Sequence, residues 1–168
     1  MEAKVSIIMG STSDLDVMSK AAKLLEEFEI PFEMNALSAH RTPDEVEKFA
    51  KGAKDRGIKV IIAGAGMAAH LPGVVAAMTP LPVIGVPIKA SLEGFDSIMS
   101  IVQMPPGIPV ATVAVNGAMN AAILAVQVMA TGDEELMQKM VDYKESLKQK
   151  IVNANKELSE VRYKFKTN

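Results

Sequence analysis

Residues 59–64 read KVIIAG, an almost unbroken apolar run at the start of an uncharged stretch that extends from Val60 to Ile88. A strand with one face in water alternates apolar and polar residues, whereas this run places apolar side chains on both faces. Strands of this kind are typical of parallel sheets that helices cover on both sides. The run therefore predicts an α/β protein.

The same uncharged stretch is long enough to cross a bilayer. It contains four prolines and four glycines, with His70 among them. A helix in contact with lipid could not satisfy its backbone hydrogen bonds across so many breaks. We therefore interpret the stretch as a buried strand, a loop, a short helix and a second strand, and we expect no contact with a membrane.

Strands and helices alternate along the whole chain. The other predicted strands are KVSIIM (4–9), PFEMNAL (31–37), PVIGVP (82–87) and PVATVAV (109–115), and the longer predicted helices end near Phe28, Arg56, Gln103, Ala130 and Arg162. Alternation at this spacing predicts βαβ units and a parallel sheet. Five strands predict a flavodoxin-like, doubly wound α/β sheet of order 2-1-3-4-5 with a long C-terminal helix.

The length of 168 residues predicts a single domain, with an α/β core over residues 1–132 and a C-terminal helix over residues 133–163. Only three residues between positions 60 and 132 are charged, although helices that face solvent normally carry charge. The C-terminal helix has an apolar stripe and is longer than the sheet that it could cover. We therefore predict a homo-oligomer in which this helix packs on a neighbouring subunit; the alternative is a loosely docked tail.

Composition excludes several classes of function. The net charge of −2 gives no electrostatic footprint for nucleic acid. The absence of cysteine excludes disulfides, thiolate metal sites and a cysteine nucleophile, and it suits a cytoplasmic protein. The N-terminal MEAK leads directly into the first predicted strand, so we expect no signal peptide.

Ligands of an open parallel sheet bind beyond the carboxyl ends of the strands, where the strand order reverses. Here that point lies between the first and third strands, so the loops after the first three strands converge. These loops are GSTSD (10–14), SAHRTPDE (38–45) and AGAGMAAHLPG (63–73), and they contain both histidines of the chain. We expect the functional site among them.

GSTSD places a glycine and hydroxyl groups at the start of a helix, where unpaired backbone N–H groups favour an anion. The alternative interpretation of this loop is an ordinary helix cap by Ser11 or Ser13.

SAHRTPDE combines a helix start with residues that a helix start does not need. Thr42 and Glu45 have the spacing of a capping box, and Pro43 stands at the first helical position. Capping requires neither His40 nor Arg41. Arginine suits phosphate through paired hydrogen bonds, and histidine can take up or release a proton near neutral pH.

AGAGMAAHLPG contains small residues that let the backbone approach a ligand closely. It lacks the G-x-G-x-x-G spacing of dinucleotide sites. His70 either caps the short helix or lines the pocket.

Two histidines without a carboxylate cluster make a poor metal site, and the chain has neither a Walker loop nor a nucleophile elbow. The three loops together suit a small phosphorylated molecule that undergoes proton transfer.

Four ordered motifs, IIMGSTSD, SAHRTP, VIIAGAGMAAHLPGVVAAMTPLPVIGVP and SIVQMPPGIPVATVAV, resemble the 5-(carboxyamino)imidazole ribonucleotide mutase family of de novo purine biosynthesis, over about residues 5 to 130. The resemblance implies a flavodoxin-like homo-octamer without metal, ATP or other cofactor, whose ligands are a ribonucleotide and CO2. It also implies an isomerase that moves a carboxylate from the exocyclic nitrogen of an aminoimidazole ribonucleotide to ring carbon 4, by decarboxylation and recarboxylation.

The resemblance further implies roles for individual residues. His40 matches the catalytic histidine that carries the proton, and Asp14 matches the ribose contact. The positions that match substrate-binding residues are Ser11, Ser13, Asp14, Ser38 and Arg41 at the phosphorylated end and Ala65, Gly66, Ala69, His70 and Leu71 at the base and carboxylate.

The chain departs from the family pattern in three places. Met67 replaces a common glycine, and the segments around residues 88–93 and 115–119 are shorter than usual.

Two alternative functions stay open. A related class carboxylates aminoimidazole ribonucleotide directly with CO2, but it tends to have lysine at the position of Arg41 and lacks the GAGMAAH loop. A non-catalytic nucleotide-binding module would explain GSTSD and Arg41 but not two histidines at one pocket.

Overall fold

The computed structural model of the chain describes residues 2–168, which divide into two compact units, one ending at Met129 and one running from Ala130 to Asn168. The first unit contains five strands: β1 (Val5–Met9), β2 (Phe32–Ala36), β3 (Val60–Gly66), β4 (Val83–Ile88) and β5 (Ala111–Thr112). They form one parallel sheet of order β2-β1-β3-β4-β5. The predicted flavodoxin-like class and strand order are confirmed.

Helices follow each strand in turn. They are α1 (Leu15–Glu27), α2 (Pro43–Gly52), α3 (Leu71–Met78), α4 (Phe95–Val102) and α5 (Ala118–Ala130), with 3-10 turns at Thr12–Asp14 and Leu92–Gly94 before α1 and α4. α2 ends at Gly52 rather than near Arg56 as predicted, because the next residues form hydrogen-bonded turns that close at Gly57, where φ is +85°.

β3 is covered on both faces. Its first six residues are buried. Ala63 belongs to a buried cluster with Val46 of α2 and Val75 of α3. On the opposite face, a Cβ atom at Gly64 would lie 2.5 Å from Met18 Sδ, so α1 packs directly on the strand. Helices on both sides of the sheet thus account for the apolar run KVIIAG.

β5 is shorter than the predicted strand over residues 109–115, because only two residues form a regular ladder with β4. Gly85 and Pro87 of β4 turn their carbonyl groups toward β5, accepting hydrogen bonds from Val113 N at 3.1 Å and from Asn116 N at 2.8 Å. The nitrogen of Pro87 points in the same direction and has no proton, so it cannot donate to β5. This missing bond ends the regular ladder after Thr112.

The second unit consists mainly of α6 (Glu134–Glu160), which at 27 residues is about 40 Å long. The Asp133 carboxylate caps it by accepting a hydrogen bond from Leu136 N at 3.0 Å. α6 ends short of the predicted residue 163 because Val161 adopts an extended conformation. No helix within residues 2–168 is both long and apolar enough to cross a membrane.

Candidate active site

A cavity of about 460 Å³ opens at the carboxyl ends of the strands, where the loops after β1, β2 and β3 meet. Its volume lies in the usual range for small-molecule sites, and its place is where a doubly wound sheet binds ligands. The described residues that line it are Gly10, Ser11, Ser13, Asp14, Ser38, Ala39, His40, Arg41, Ala65, Gly66, Met67, Ala68, Leu71 and Ala90.

Most of the residues singled out from the sequence line this cavity, but Ala69 and His70 do not. The Ala69 side chain is fully buried beneath the loop. His70 instead hydrogen-bonds to His40, which does line the cavity. Sequence reasoning did not predict Gly10, Ala39, Met67, Ala68 and Ala90 as site residues. Four of them adjoin predicted residues, and Ala90 follows β4, whose carboxyl end reaches the same edge of the sheet.

The loop after β1 presents serine hydroxyls at the cavity. Ser11 has extended backbone and caps the 3-10 turn, since its Oγ accepts a hydrogen bond from Ser13 N at 3.3 Å. The capping interpretation therefore holds for Ser11. Ser13 is exposed, and its hydroxyl donates to Asp14 Oδ1 at 3.4 Å. Both hydroxyls retain hydrogen-bonding capacity for a ligand.

Asp14 stands between this turn and α1, at the cavity wall. Partial burial raises the pKa of its carboxyl group, and this effect outweighs hydrogen bonds from the Ser13 hydroxyl and the Ser11 and Gly10 backbone, which lower the pKa. Burying a carboxyl group that must ionise costs folding free energy. A partly buried carboxyl group at a cavity wall is therefore typical of functional sites.

The loop after β2 closes on itself, and the predicted capping box does not form. Thr42 Oγ1 accepts a hydrogen bond from Ser38 N at 2.9 Å and donates to Ser38 O at 3.1 Å, and it makes no hydrogen bond that caps α2. The backbone of Thr42, with φ −135° and ψ 54°, departs from the usual geometry of a helix cap. Pro43 does begin the helix as predicted. The closed turn leaves the intervening His40 and Arg41 exposed.

Arg41 connects the second loop to the first. Its backbone N donates to Ser38 Oγ at 3.2 Å, and its Nη2 donates to Gly10 O at 3.4 Å. Within residues 2–168 its guanidinium forms no ion pair. The remaining donors of the guanidinium are therefore available to an anion beside Ser11 and Ser13.

His40 connects the second loop to the third. Its Nε2 lies 2.8 Å from His70 Nδ1, and the two rings meet edge to face with centroids 5.0 Å apart. In this hydrogen bond one nitrogen donates and the other accepts, so a change of tautomer in one ring requires a change in the other. The hydrogen bond can therefore pass a proton between His40, which lines the cavity, and His70, which does not.

Met67 has an unusual backbone for its residue type. Its φ is +56°, a left-handed conformation that costs a residue other than glycine on the order of 1–2 kcal/mol. Hydrogen bonds from Ala69 N to Met67 O at 2.9 Å and from His70 N to Ala68 O at 2.8 Å fix the loop in this shape. The Met67 side chain lines the cavity and is 58% exposed.

A resident metal has no evident ligand set. No group of three or more histidine, aspartate or glutamate side chains in the described part of the chain is placed to hold a metal ion. The polar groups of the cavity instead suit an organic anion, through the serine hydroxyls, the Arg41 guanidinium and His40, beside small apolar residues.

The chain is similar to proteins of one family. The family model described as AIR carboxylase matches residues 4–150. The N5-carboxyaminoimidazole ribonucleotide mutase of Pyrococcus abyssi is 60% identical over 146 residues, which are 86% of this chain and 84% of that protein.

Two further relatives extend the comparison. The phosphoribosylaminoimidazole carboxylase of Candida glabrata is 55% identical over 160 residues, which are 95% of this chain but 28% of that protein. Among solved structures, a Treponema denticola PurE matches with a TM-score of 0.83 and 33% identity, covering 93% of this chain and 98% of that one.

Proposed function

This chain belongs to the AIR carboxylase family, and from that premise we propose that it is a 5-(carboxyamino)imidazole ribonucleotide mutase of purine biosynthesis. It is then an isomerase that converts the carbamate into 4-carboxy-5-aminoimidazole ribonucleotide. The observation that carries the proposal is that His40, which hydrogen-bonds to His70 outside the cavity, lines the same cavity as Arg41 and three serine hydroxyls.

The phosphorylated end of the substrate binds at the first two loops. Arg41 offers paired donors, and Ser11, Ser13 and Ser38 offer hydroxyls. Asp14 accepts hydrogen bonds from the ribose. Binding energy from this end, remote from the reacting atoms, holds the imidazole ring against His40.

The chemistry requires one group that gives a proton and then takes one. First, the bond between the carbamate carbon and the exocyclic nitrogen breaks, the electron pair stays on the nitrogen, and the nitrogen takes a proton from His40. Ring carbon 4 then forms a bond to CO2, and the proton on that carbon passes to His40. A single histidine thus returns to its starting state, and His70 keeps its ring oriented.

The second candidate is direct carboxylation of aminoimidazole ribonucleotide, which the carboxylase name of the Candida glabrata relative favours. That relative is more than three times as long as this chain, which spans 28% of it. The mutase relative from Pyrococcus abyssi is instead covered to 84% of its length by this chain, which favours the mutase.

The decisive experiment compares two substrates at equal enzyme concentration. One reaction contains the carbamate, and the other contains aminoimidazole ribonucleotide with bicarbonate. Rapid formation of the carboxylated product from the carbamate alone supports the mutase. Preference for the second mixture identifies a carboxylase, and binding of the ribonucleotide without product identifies a non-catalytic module.

The assembly and cellular setting belong to the same proposal. Leu92, Phe95, Met99 and Val102 form an exposed apolar stripe at spacings of three and four residues along α4 and the turn before it. A second copy of the chain that covers this stripe would remove it from water. We therefore propose a cytoplasmic homo-oligomer, an octamer as the family resemblance implies, in which residues 133–163 pack on a neighbour. The enzyme requires no cofactor, and CO2 is its second ligand.

A further inference from the structure

We propose that Met67 covers the apolar end of the cavity and retains CO2 between the two steps of the reaction. This inference rests on the proposed function and assigns a role to a residue that the mechanism above does not use. It names Met67 as the residue that decides whether the carboxyl carbon is transferred or lost.

The position of the side chain is the first observation. Among the described lining residues, Met67 and Leu71 are the two large apolar ones. Leu71 is buried, whereas Met67 is 58% exposed and has three rotatable side-chain bonds. An unbranched thioether side chain adapts its shape and makes favourable contacts with planar rings, so it suits a cover over an imidazole.

The backbone is the second observation. With φ at +56°, position 67 favours glycine, yet it carries a long side chain. Packing within the single chain does not explain the methionine, because more than half of its surface is exposed there. Neither local conformation nor the core therefore accounts for this residue, and the cavity that it lines does.

The neighbouring wall is the third observation. The segment after β4 is held by a hydrogen bond from Lys89 N to Asn116 Oδ1 at 2.9 Å. Ala90, beside Lys89, lines the cavity with a single methyl group. The other lining residues of the third loop, apart from Met67 and Leu71, are alanine and glycine, so the exposed Met67 side chain supplies apolar volume that its small neighbours do not.

The reaction makes a cover useful. After the carbon–nitrogen bond breaks and the nitrogen is protonated, CO2 is uncharged and no ion pair holds it. It either bonds to ring carbon 4, which then loses its proton to His40, or diffuses into solvent and leaves aminoimidazole ribonucleotide as the product. A side chain that closes the opening favours the first outcome and keeps water out.

Three variants separate the side chain from its backbone. Met67→Ala removes the thioether and keeps the left-handed cost, Met67→Gly removes both, and Met67→Leu keeps apolar volume. For each variant, the assay measures aminoimidazole ribonucleotide released per carboxylated product formed from the carbamate, after subtraction of spontaneous decarboxylation without enzyme. Tm and the Kd for aminoimidazole ribonucleotide are measured in parallel.

We expect the released fraction to rise several-fold in both Met67→Ala and Met67→Gly and to stay near the original value in Met67→Leu. The Kd should rise about two- to tenfold in the first two variants, the worth of one thioether–ring contact. Met67→Gly should melt at a higher temperature than Met67→Ala, because glycine adopts the left-handed backbone without strain. A rise in released aminoimidazole ribonucleotide in Met67→Gly would then not result from unfolding.

An unchanged released fraction in Met67→Gly and Met67→Ala would overturn the role of Met67 while leaving the mutase intact. Failure of the unsubstituted protein to form carboxylated product from the carbamate would instead overturn the proposed function. The two failures are therefore distinguishable in one set of reactions.

Discussion

His40 shares a hydrogen bond with His70 in which only one of the two nitrogens carries the proton. We predict that His40→Asn lowers kcat by about 10²–10⁴-fold, because an amide can replace a hydrogen bond but cannot carry the proton. The Kd for aminoimidazole ribonucleotide should change little if the phosphate binds Arg41 and the serine hydroxyls as proposed. Steady-state kinetics and calorimetry test both statements, and full turnover in this variant would remove His40 from the mechanism.

Asp14 gives a prediction for stability. Burial raises the pKa of this carboxyl group in the folded protein, so the folded state binds its proton more tightly than the unfolded state does. Stability therefore falls as pH rises from the ordinary aspartate range through the raised pKa, and the loss persists at neutral pH. Asp14→Asn should remove this fall, with a Tm at pH 7 equal to or above that of the original protein.

Two measurements complete the test of Asp14. Melting curves recorded between about pH 4 and pH 7 should show a smaller decline for Asp14→Asn than for the original protein. Ribonucleotide binding should weaken in the same variant, because the proposed role of the Asp14 carboxylate is to accept hydrogen bonds from the ribose. A variant that melts at a lower temperature at pH 7 would show that Asp14 serves the fold.

Individual site residues could be predicted from the sequence where local secondary structure gave no reason for their side chains. His40 and Arg41 stood out because a helix start needs neither of them. The His40–His70 bond was not predictable, since it depends on how two loops from different strands approach each other. The predicted Thr42 capping box was wrong because the backbone N–H and carbonyl of Ser38 bind the Thr42 hydroxyl in place of a backbone N–H of the helix. Spacing along the chain shows only the helical partner.

At the scale of elements, Gly85 fixes the distance between the sheet and α4. A Cβ atom there would lie 2.5 Å from Ile101 Cγ2 and 3.0 Å from Val110 Cγ1, both on stiff branched side chains. We predict that Gly85→Ala lowers the free energy of unfolding by about 1–3 kcal/mol, the usual cost of overpacking a core. Chemical denaturation measures this change.

Gly132 provides the matched control. A Cβ atom added there would meet nothing within 4 Å. Gly132→Ala should therefore change the free energy of unfolding by no more than about 1 kcal/mol, through the smaller conformational freedom of the unfolded chain. Equal effects of the two substitutions would contradict the packing argument at Gly85.

The order of the elements could be predicted because each strand and helix carries its own apolar period. The length of β5 could not, although the proline responsible is visible in the sequence. Its effect depends on whether the nitrogen of Pro87 faces β3 or β5, and that is fixed only when the register between strands is known.

At the scale of the whole molecule, the stripe along α4 predicts association. Leu92 is 73% and Phe95 66% exposed in the single chain, an arrangement that a stable soluble subunit seldom leaves open to water. Light scattering should give a mass that is a multiple of 17.9 kDa. Phe95→Glu should lower that mass, and Lys23→Glu on the exposed surface of α1 should not. A monomer mass for the original protein would contradict this prediction.

The sequence predicts a covering partner, because a long segment with few charges cannot all face solvent, and this stays a prediction. The number of copies could not be derived from the same pattern. Stoichiometry depends on the angle between interfaces, which side-chain composition does not encode.

The central claim is that the carboxyl carbon moves from nitrogen to carbon within one closed site. The most direct measurement supplies the substrate with ¹³C in its carbamate group, in buffer that contains unlabelled bicarbonate, and determines the isotope content of the 4-carboxy product by mass spectrometry. We predict a product that retains most of the label. A product with the isotope content of the bicarbonate pool would contradict it.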